Sequence, residues 1–163
     1  MIGMAKSRPA HEFLEPEEWE SWGALMLLHR SVLRDLDDGL RREHGLGVTE
    51  FDVLITLFNA PDRRLRMSVL AERVLLSPAG ATHLVTRLER DRLLRREVDP
   101  ADGRKWFAVL TDDGDLVLQV ARRTHNDVLR RTLLASTSAA DRTTLRRIWR
   151  RLSTEQPTPT GAN

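Results

Sequence analysis

The sequence predicts a mainly α-helical fold with one small β-hairpin. Apolar residues recur every three or four positions along most of the chain, and helix-capping residues stand at several predicted helix starts. This periodicity is interrupted once, where two short strand-like runs flank a turn that contains Pro and Gly. The 163 residues suit one domain, and 40% hydrophobic with 31% charged residues is typical of a globular protein.

The two ends of the chain lie outside the predicted elements. Residues 1–13 are polar and contain Pro9, and residues 153–163 are rich in Thr and Pro, so both segments are predicted to be disordered. The N-terminal residues lack the apolar core of a signal peptide, and no apolar run approaches the roughly 20 residues of a membrane span. These features predict a cytoplasmic protein with no membrane partner.

The first predicted helix covers residues 19–43, inside a predicted dimerisation segment of residues 14–48. Gly45 and Gly47 are expected to end it, because glycine adopts the left-handed conformation that closes helices. The second predicted helix, residues 50–58, begins after Thr49, which resembles a capping box together with Asp52. The apolar face of the first helix recurs at helical spacing as Trp22, Leu25, Met26, His29, Val32, Leu33, Leu36 and Leu40.

Two short helices separated by a tight turn come next. The first covers residues 67–74, with Ser68 as its expected N-cap. Ser77 followed by Pro78 marks the start of the second, because Ser caps free amides and Pro suits the first helical position. The second helix reaches about residue 90 and buries one face. Such a pair indicates a helix-turn-helix, whose second helix enters the DNA major groove in DNA-binding proteins.

A β-hairpin and two further helices complete the predicted fold. Strands are expected at residues 94–98 and 105–110, and Thr111 then caps a helix that reaches about residue 134. The last helix covers residues 139–152, and one subunit has too little surface to cover its apolar face, which predicts a homodimer. The sequence thus predicts a winged helix-turn-helix region at residues 49–111, followed by C-terminal dimerisation helices at 112–152.

The charge distribution favours a nucleic-acid partner more than the net charge of +2 does. Residues 63–105 contain eleven basic and six acidic side chains, so this segment carries +5 and the rest of the chain −3. A basic middle between acidic flanks is typical of a phosphate-binding module, although an arginine-rich solvated surface has the same composition.

Candidate DNA-binding residues follow from the predicted helix-turn-helix and hairpin. The free amides and small residues at the start of the second helix can meet a phosphate, and polar side chains on its exposed face can reach base edges. A cation on the hairpin suits a narrow minor groove, with Asp102 placed to orient the Arg104 guanidinium. The full set is Ser77, Pro78, Ala79, Gly80, Thr82, His83, Thr86, Arg87, Asp102, Arg104 and Lys105. An ordinary surface helix and a polar turn remain the alternatives.

The chain resembles the MarR family, the multiple-antibiotic-resistance type of regulators, over roughly residues 19–152. The resemblance rests on the runs at residues 67–73, 76–78 and 82–90, on the wing motif Asp99-Pro100 with Asp102-Gly103-Arg104, and on Leu110-Thr111 with Gly114. It implies a dimeric winged helix-turn-helix repressor on a palindromic operator, with the Ser77 helix in the major groove and Arg104 in the minor groove. Family members usually have glycine at the position of Arg92, where a left-handed conformation would cost another residue roughly 1 kcal/mol.

The resemblance also suggests a small aromatic or phenolic effector, bound where the dimer helices meet the reading heads. An apolar cleft for it is predicted from Trp22, Met26 and His29 of the first helix with Phe51, Leu54 and Phe58 of the second, although such stripes usually form core. The chain has no cysteine, which excludes thiol-based sensing, and its histidines lack paired ligand spacing. No metal and no cofactor are therefore predicted.

Two other function classes were weighed. An enzyme is not expected, because the sequence has no Gly-rich phosphate loop, no Gly-x-Ser-x-Gly elbow and no apparent base for Ser77, so no catalytic residue is predicted. A helical protein–protein adaptor with a degenerate reading head and no effector is the second alternative. Binding to the DNA upstream of its own gene separates the adaptor from the regulator.

Overall fold

The computed structural model describes residues 14–153. Ser153, expected to begin the disordered tail, is instead the last residue of a helix, and residues 1–13 and 154–163 lie outside the described part. Within it the elements are α1 (Pro16–His44), α2 (Val48–Phe58), a 3₁₀ turn (Pro61–Arg63), β1 (Arg64–Arg66), α3 (Met67–Arg73), α4 (Pro78–Arg90), β2 (Leu94–Asp99), β3 (Asp102–Leu110), α5 (Asp112–Leu129), a π-helical turn (Arg130–Leu134) and α6 (Ala139–Ser153). The predicted mainly helical fold with a hairpin is confirmed.

The hydrophobic core lies between α2, α4, α5 and the sheet. Only the C-terminal part of α1 joins it, through Leu40. We call residues 48–110 the head, and residues 16–35 of α1 together with α6 the arms. Fully buried core side chains include Leu40, Leu54, Leu57, Leu70, Val85, Leu88, Leu94 and Leu118.

The N-termini of α1 and α2 differ from their predicted caps. Helix α1 begins at Pro16, before the predicted Trp19, and the backbone N–H of Glu15 donates to Glu18 over 2.8 Å. Helix α2 begins at Val48, so Thr49 lies inside it and is not its cap. The backbone N–H of Gly47 instead donates to the Glu50 carboxylate over 2.6 Å. A buried carboxylate in the first turn therefore replaces the predicted Thr49–Asp52 pair.

A third strand was not predicted. Residues Arg64–Arg66 pair antiparallel with β3, which gives the sheet the strand order β1-β3-β2. Three residues are too few to show an alternating pattern, so only the pairing with β3 identifies this strand. Helix α3 follows directly after Arg66, and Ser68 lies within its first turn without capping it. The prediction of Ser68 as the N-cap was wrong.

The hairpin between β2 and β3 is tighter than predicted. Its turn consists of Pro100 and Ala101, because Asp99 already pairs with Asp102. The next pair joins Val98 to Trp106, so residues 103–105 of β3 have no partner in β2 and form a bulge. Arg104 and Lys105 therefore project from a bulged strand beside the turn.

The start of α5 joins the head to the C-terminal helices. The Thr111 hydroxyl accepts a hydrogen bond from the Gly114 backbone N–H over 3.0 Å, which confirms the predicted cap. A Cβ atom at Gly114 would lie 2.1 Å from the Leu93 carbonyl oxygen, so the helix approaches the head more closely than a side chain allows. Along residues 14–153, no helix combines the length and apolar character that a membrane span requires.

Candidate nucleic-acid interface

Helix α4 starts as the sequence predicted. Ser77 is its N-cap with extended backbone, Pro78 takes the first helical position, and the Ser77 hydroxyl accepts from the Gly80 backbone N–H over 3.1 Å. The turn from α3 contains Leu75, which has φ of 54° and a side chain 92% exposed. A leucine in the left-handed region is strained, and because this side chain is exposed, no burial of apolar surface offsets the strain.

The outward face of α4 carries the polar residues that the sequence placed there. Thr82, His83, Thr86 and Arg87 are exposed, while Ala81, Val85 and Leu88 are buried. The hydroxyls of Thr82 and Thr86 each donate over 2.8 Å to a backbone carbonyl one turn earlier. His83 makes no hydrogen bond or ion pair within residues 14–153, so its ring is available to a base edge.

Arg96 of β2 extends along the same face and was not predicted. Its guanidinium donates to the Thr82 carbonyl over 3.2 Å and to the Thr86 hydroxyl, and its Nε lies 3.6 Å from the Glu89 carboxylate. The strand alternation that buries Leu94 also turns Arg96 toward α4, which was the available sequence signal. Arg96 thus links β2 to α4.

The base of the wing is held by Asp99, whose residue is 3% exposed. Its Oδ1 accepts from the Ala101 backbone N–H over 2.9 Å, and its Oδ2 lies 2.7 Å from Nη2 of Arg66 at the end of β1. The Ala101 N–H and the Arg66 guanidinium both lower the pKa of Asp99. Arg66 also lies over the Phe107 ring, 5.8 Å from its centroid. Strand β1 therefore anchors the hairpin turn.

Asp102 does not orient the Arg104 guanidinium as predicted. Its Oδ1 accepts from the Arg104 backbone N–H over 3.2 Å, and its Oδ2 pairs with Lys105 Nζ at 3.1 Å. The bulge places Lys105, rather than the Arg104 side chain, within reach of the carboxylate. Gly103, which the sequence places beside this turn, has no positive φ and open space around its Cβ position, so the structure does not require glycine there. The Arg104 side chain is exposed and without an ion pair within residues 14–153.

A groove of about 450 Å³ separates the start of α4 from the wing. It brings together three predicted residues, Thr82, Arg104 and Lys105, with residues that the sequence reasoning missed. The added lining side chains are Arg66, Met67, Ser68, Arg96 and Trp106. Four cations on one concave surface attract polyanions, because a cleft concentrates the field of like charges.

Arg87 lies apart from this groove. Its Nε is 3.0 Å from Oε1 of Glu50 at the start of α2, and the Glu50 side chain is 4% exposed. The sequence reasoning placed Arg87 among the DNA contacts, whereas the structure gives it a carboxylate partner 37 positions earlier in the chain. The exposed face of α4 therefore divides into a half near Ser77 that borders the groove and a half that is tied to α2.

The six residues predicted to bind an effector have different environments. Phe51 and Leu54 belong to the buried core, and the Phe51 ring stacks on His125 with centroids 4.6 Å apart. Trp22 and His29 lie on the exposed part of α1, and Met26 is half-buried. The Phe58 ring faces two guanidinium groups, of Arg63 and Arg122, each 5.5 Å from its centroid. No group of three metal-ligating side chains is present among residues 14–153.

The turn after α4 keeps the left-handed conformation that glycine usually provides. Arg92 has φ of 62°, and its backbone N–H donates to the Glu89 carbonyl over 3.0 Å. Arginine therefore replaces the usual glycine at this position without changing the left-handed backbone conformation.

Comparisons with known proteins agree with this geometry. Residues 44–105 match the MarR family. Sco3205, a MarR family transcriptional regulator from Streptomyces coelicolor whose structure was solved in complex with DNA, is 31% identical in sequence to this chain. The two structures superpose with a TM-score of 0.83, over 93% of this chain and 96% of that one.

Two transcriptional regulators of the helix-turn-helix type from Bacillus subtilis (strain 168) are also similar. YkoM is 39% identical over 45% of this chain, and MhqR is 32% identical over 55% of it. These matches span 47% and 63% of the lengths of the two relatives. The chain is a member of the MarR family of DNA-binding transcriptional regulators.

Proposed function

We propose that the chain is a repressor that binds a palindromic operator as a homodimer, with α4 in the major groove and the wing in the adjacent minor groove. The observation that carries this proposal is the cationic groove between the start of α4 and the bulged wing. The solved DNA complex of the 31% identical Streptomyces regulator supports DNA as the partner.

The proposal divides the contacts between the two grooves of DNA. At the start of α4 the Ala79 backbone N–H meets a phosphate beside the exposed Pro78, which has no N–H, while the Gly80 N–H is held by the Ser77 hydroxyl. Thr82 and His83 follow within the next turn and face base edges, where readers of this type contact sequence. Arg104 enters the minor groove, and Lys105 neutralises a phosphate.

A homodimer is proposed from the arms. Helix α6 contains no buried residue, although Leu145, Ile148, Trp149 and Leu152 share one of its faces. Helix α1 likewise has large apolar side chains that are at least half exposed, namely Trp19, Trp22, Leu25 and Leu27. Exposed apolar faces of this extent mark association surfaces, and a two-fold partner with the same faces would cover them.

Repression and release complete the proposal. A dimer on its operator excludes other proteins from the same DNA, so repression requires no further surface of the chain. A small aromatic effector would contact Trp22, Met26, His29 and Phe58, which keep exposed surface, because Phe51 and Leu54 are enclosed by the core. Binding there would release DNA by changing the angle between arms and head.

The Arg104→Ala variant tests the DNA-binding mode. We expect it to melt and dimerise like the parent, because substitutions of exposed residues usually change stability by less than about 0.5 kcal/mol. Its affinity for operator DNA should fall about 10-fold or more, most on sites flanked by A·T-rich steps, where the minor groove is narrow. Binding is measured by fluorescence anisotropy with operator selected from random-sequence DNA.

Arg123→Ala is the matched control, because Arg123 is an exposed arginine on α5 outside the groove. It removes the same charge and should leave affinity within about 2-fold of the parent, as expected for a distant charge screened by salt. For the parent, affinity should fall by about 10³ or more between 50 and 200 mM salt. Equal affinity of Arg104→Ala and the parent would contradict the proposed minor-groove contact.

A further inference from the structure

The ion pair between Glu50 and Arg87 connects α4 to the first turn of α2, which follows α1 in the chain. We infer that this pair sets the orientation of α4 relative to α1, and that it thereby determines which half-site spacing a dimer accepts. The inference rests on the proposed function, because spacing has meaning only for a dimer on DNA. Arg87 is thus a positioning residue, while the DNA contacts come from the other end of α4.

The Glu50 carboxylate is buried, and each of its two oxygens has a polar partner. The residue is 3% exposed, so it cannot touch DNA. Its Oε2 accepts from the Gly47 backbone N–H over 2.6 Å, and its Oε1 lies 3.0 Å from Arg87 Nε. A buried carboxylate without a cation is costly, so the position of Glu50 constrains where the Arg87 side chain and its helix can lie.

The same junction is tied to α1. Asp37 Oδ1 accepts from the Val48 backbone N–H over 2.9 Å, and Asp37 Oδ2 accepts from Arg41 Nε over 2.6 Å. These two hydrogen bonds lower the pKa of Asp37, that from Arg41 most. A Cβ atom at Gly47 would lie 2.6 Å from Arg41 Nη2, so the junction is tightly packed. Polar contacts therefore lead from α1 through the start of α2 to α4.

The position of Arg87 along α4 separates it from the reading residues. It lies nine residues after Pro78, which is about 13 Å along the helix axis. Readers of this type contact bases with the N-terminal residues of the recognition helix. Helix α4 is therefore attached to α2 near its C-terminal end, while its N-terminal end faces the groove.

The consequence for a dimer is geometric. Two half-sites one helical turn apart are separated by about 34 Å, and each added base pair shifts one of them by about 3.4 Å and rotates it by about 34°. A dimer tolerates such a shift only if its recognition helices can turn relative to the dimer helices. The Glu50–Arg87 pair opposes that turn, so the parent should accept one spacing.

The test measures how tightly the parent and variants that lack the ion pair bind operators of different half-site spacing. The operator is selected from random-sequence DNA by the parent, and two further duplexes have one base pair inserted or deleted at its centre. We expect the parent to bind these duplexes about 10-fold or more weakly, in line with the cost of a mismatched contact. Glu50→Gln and Arg87→Gln should each reduce this discrimination to about 3-fold or less, because each removes the ion pair, and Glu50→Gln does so without changing the side-chain size.

A second readout separates positioning from a phosphate contact. The slope of log affinity against log salt should be the same for the parent, Glu50→Gln and Arg87→Gln. If Arg87 bound a phosphate, Arg87→Gln alone would reduce the slope by about 0.9 per subunit. Asp91→Asn is the control, because it removes the exposed Arg90–Asp91 pair at the end of α4 and should leave spacing discrimination unchanged.

Two results would overturn the inference: unchanged spacing discrimination in Glu50→Gln, or a reduced salt slope confined to Arg87→Gln. Thermal melting of each variant identifies any loss of fold, and binding is compared at a temperature where all variants are folded. Failure of the parent to select any DNA would instead contradict the proposed function. The two failures are therefore distinguishable.

Discussion

The head and the arms have similar apolar patterns along their helices, but these apolar faces are buried in the head and exposed in the arms. In the head, the stripes of α2 and α4 are closed within one chain, and Leu54, Leu57, Val85 and Leu88 are all but fully buried. In the arms, α6 has the same helical spacing of apolar residues, yet Trp149 is 48% exposed and no residue of the helix is buried. An apolar face therefore indicates burial, but the tertiary structure decides whether the cover comes from the same chain.

Polar contacts follow the same division. The head contains enclosed carboxylates with defined cations, Glu50 with Arg87 and Asp99 with Arg66. In the arms, Arg34 pairs with its neighbour Asp35 at 3.3 Å, and both side chains keep solvent exposure. Enclosed pairs fix geometry because an unpaired buried charge is costly, whereas exposed pairs contribute little. Enclosed ion pairs thus help to hold the shape of the head, whereas the exposed pair of the arms contributes little to theirs.

The largest expected effect comes from the core of the head. Leu54→Ala should lower the free energy of unfolding by about 3 kcal/mol, because it leaves a cavity at a fully buried position. Urea unfolding at fixed protein concentration measures it. Leu75→Ala removes the same atoms from a side chain that is 92% exposed and should change stability by less than about 0.5 kcal/mol. Equal losses of unfolding free energy in the two variants would contradict the burial of Leu54 in the core of the head.

The next effect concerns the arms. Ile148→Asp should raise the dimer dissociation constant by about 100-fold, roughly 2.7 kcal/mol, because it places a charge in the apolar face of α6. Sedimentation equilibrium measures the constant. Thr143→Asp is the control, since it adds the same charge about 140° around the helix. A parent that is monomeric at micromolar concentration would contradict the assignment of the arms to a dimer interface.

A smaller effect is expected at the wing anchor. The pKa of Asp99 is lower in the folded than in the unfolded chain, so its contribution to stability is present above the unfolded pKa and lost as pH falls through the folded one. Asp99→Asn should therefore be less stable than the parent at pH 7, and the difference should shrink between pH 5 and pH 3. Urea midpoints across this range measure it, and a constant difference would contradict the role of the charge.

The smallest effect concerns the left-handed turn after α4. Arg92→Gly should raise the free energy of unfolding by less than about 1 kcal/mol, because glycine adopts positive φ without strain but gains entropy in the unfolded chain. Arg90→Gly, inside the last turn of α4, should lower it by up to about 1 kcal/mol. Thermal melting of both variants measures the difference, and a destabilised Arg92→Gly would mean that the Arg92 side chain contributes more than its backbone costs.

The sequence by itself determined the features whose cause lies within a few residues. Helix periodicity predicted α4 and its exposed face, Ser77 and Pro78 predicted its start, and Thr111 predicted the start of α5. Each of these depends on hydrogen bonds or packing between positions at most four apart, so the local order of residue types contains the information. The left-handed conformation at Arg92 was anticipated only from the resemblance to the MarR family, whose members usually have glycine there.

Only the tertiary structure decided the features that join distant segments. Strand β1 exists because Arg64–Arg66 meets β3, and the partner of Lys105 depends on the register of a bulge. Glu50 and Arg87 are 37 positions apart, and no local pattern distinguishes a cation that meets a buried carboxylate from one that meets a phosphate. Arg66 entered the site for the same reason, since it lies on the strand β1 that only the pairing with β3 identifies. Which charges meet depends on how the elements pack, and that is a property of the folded chain.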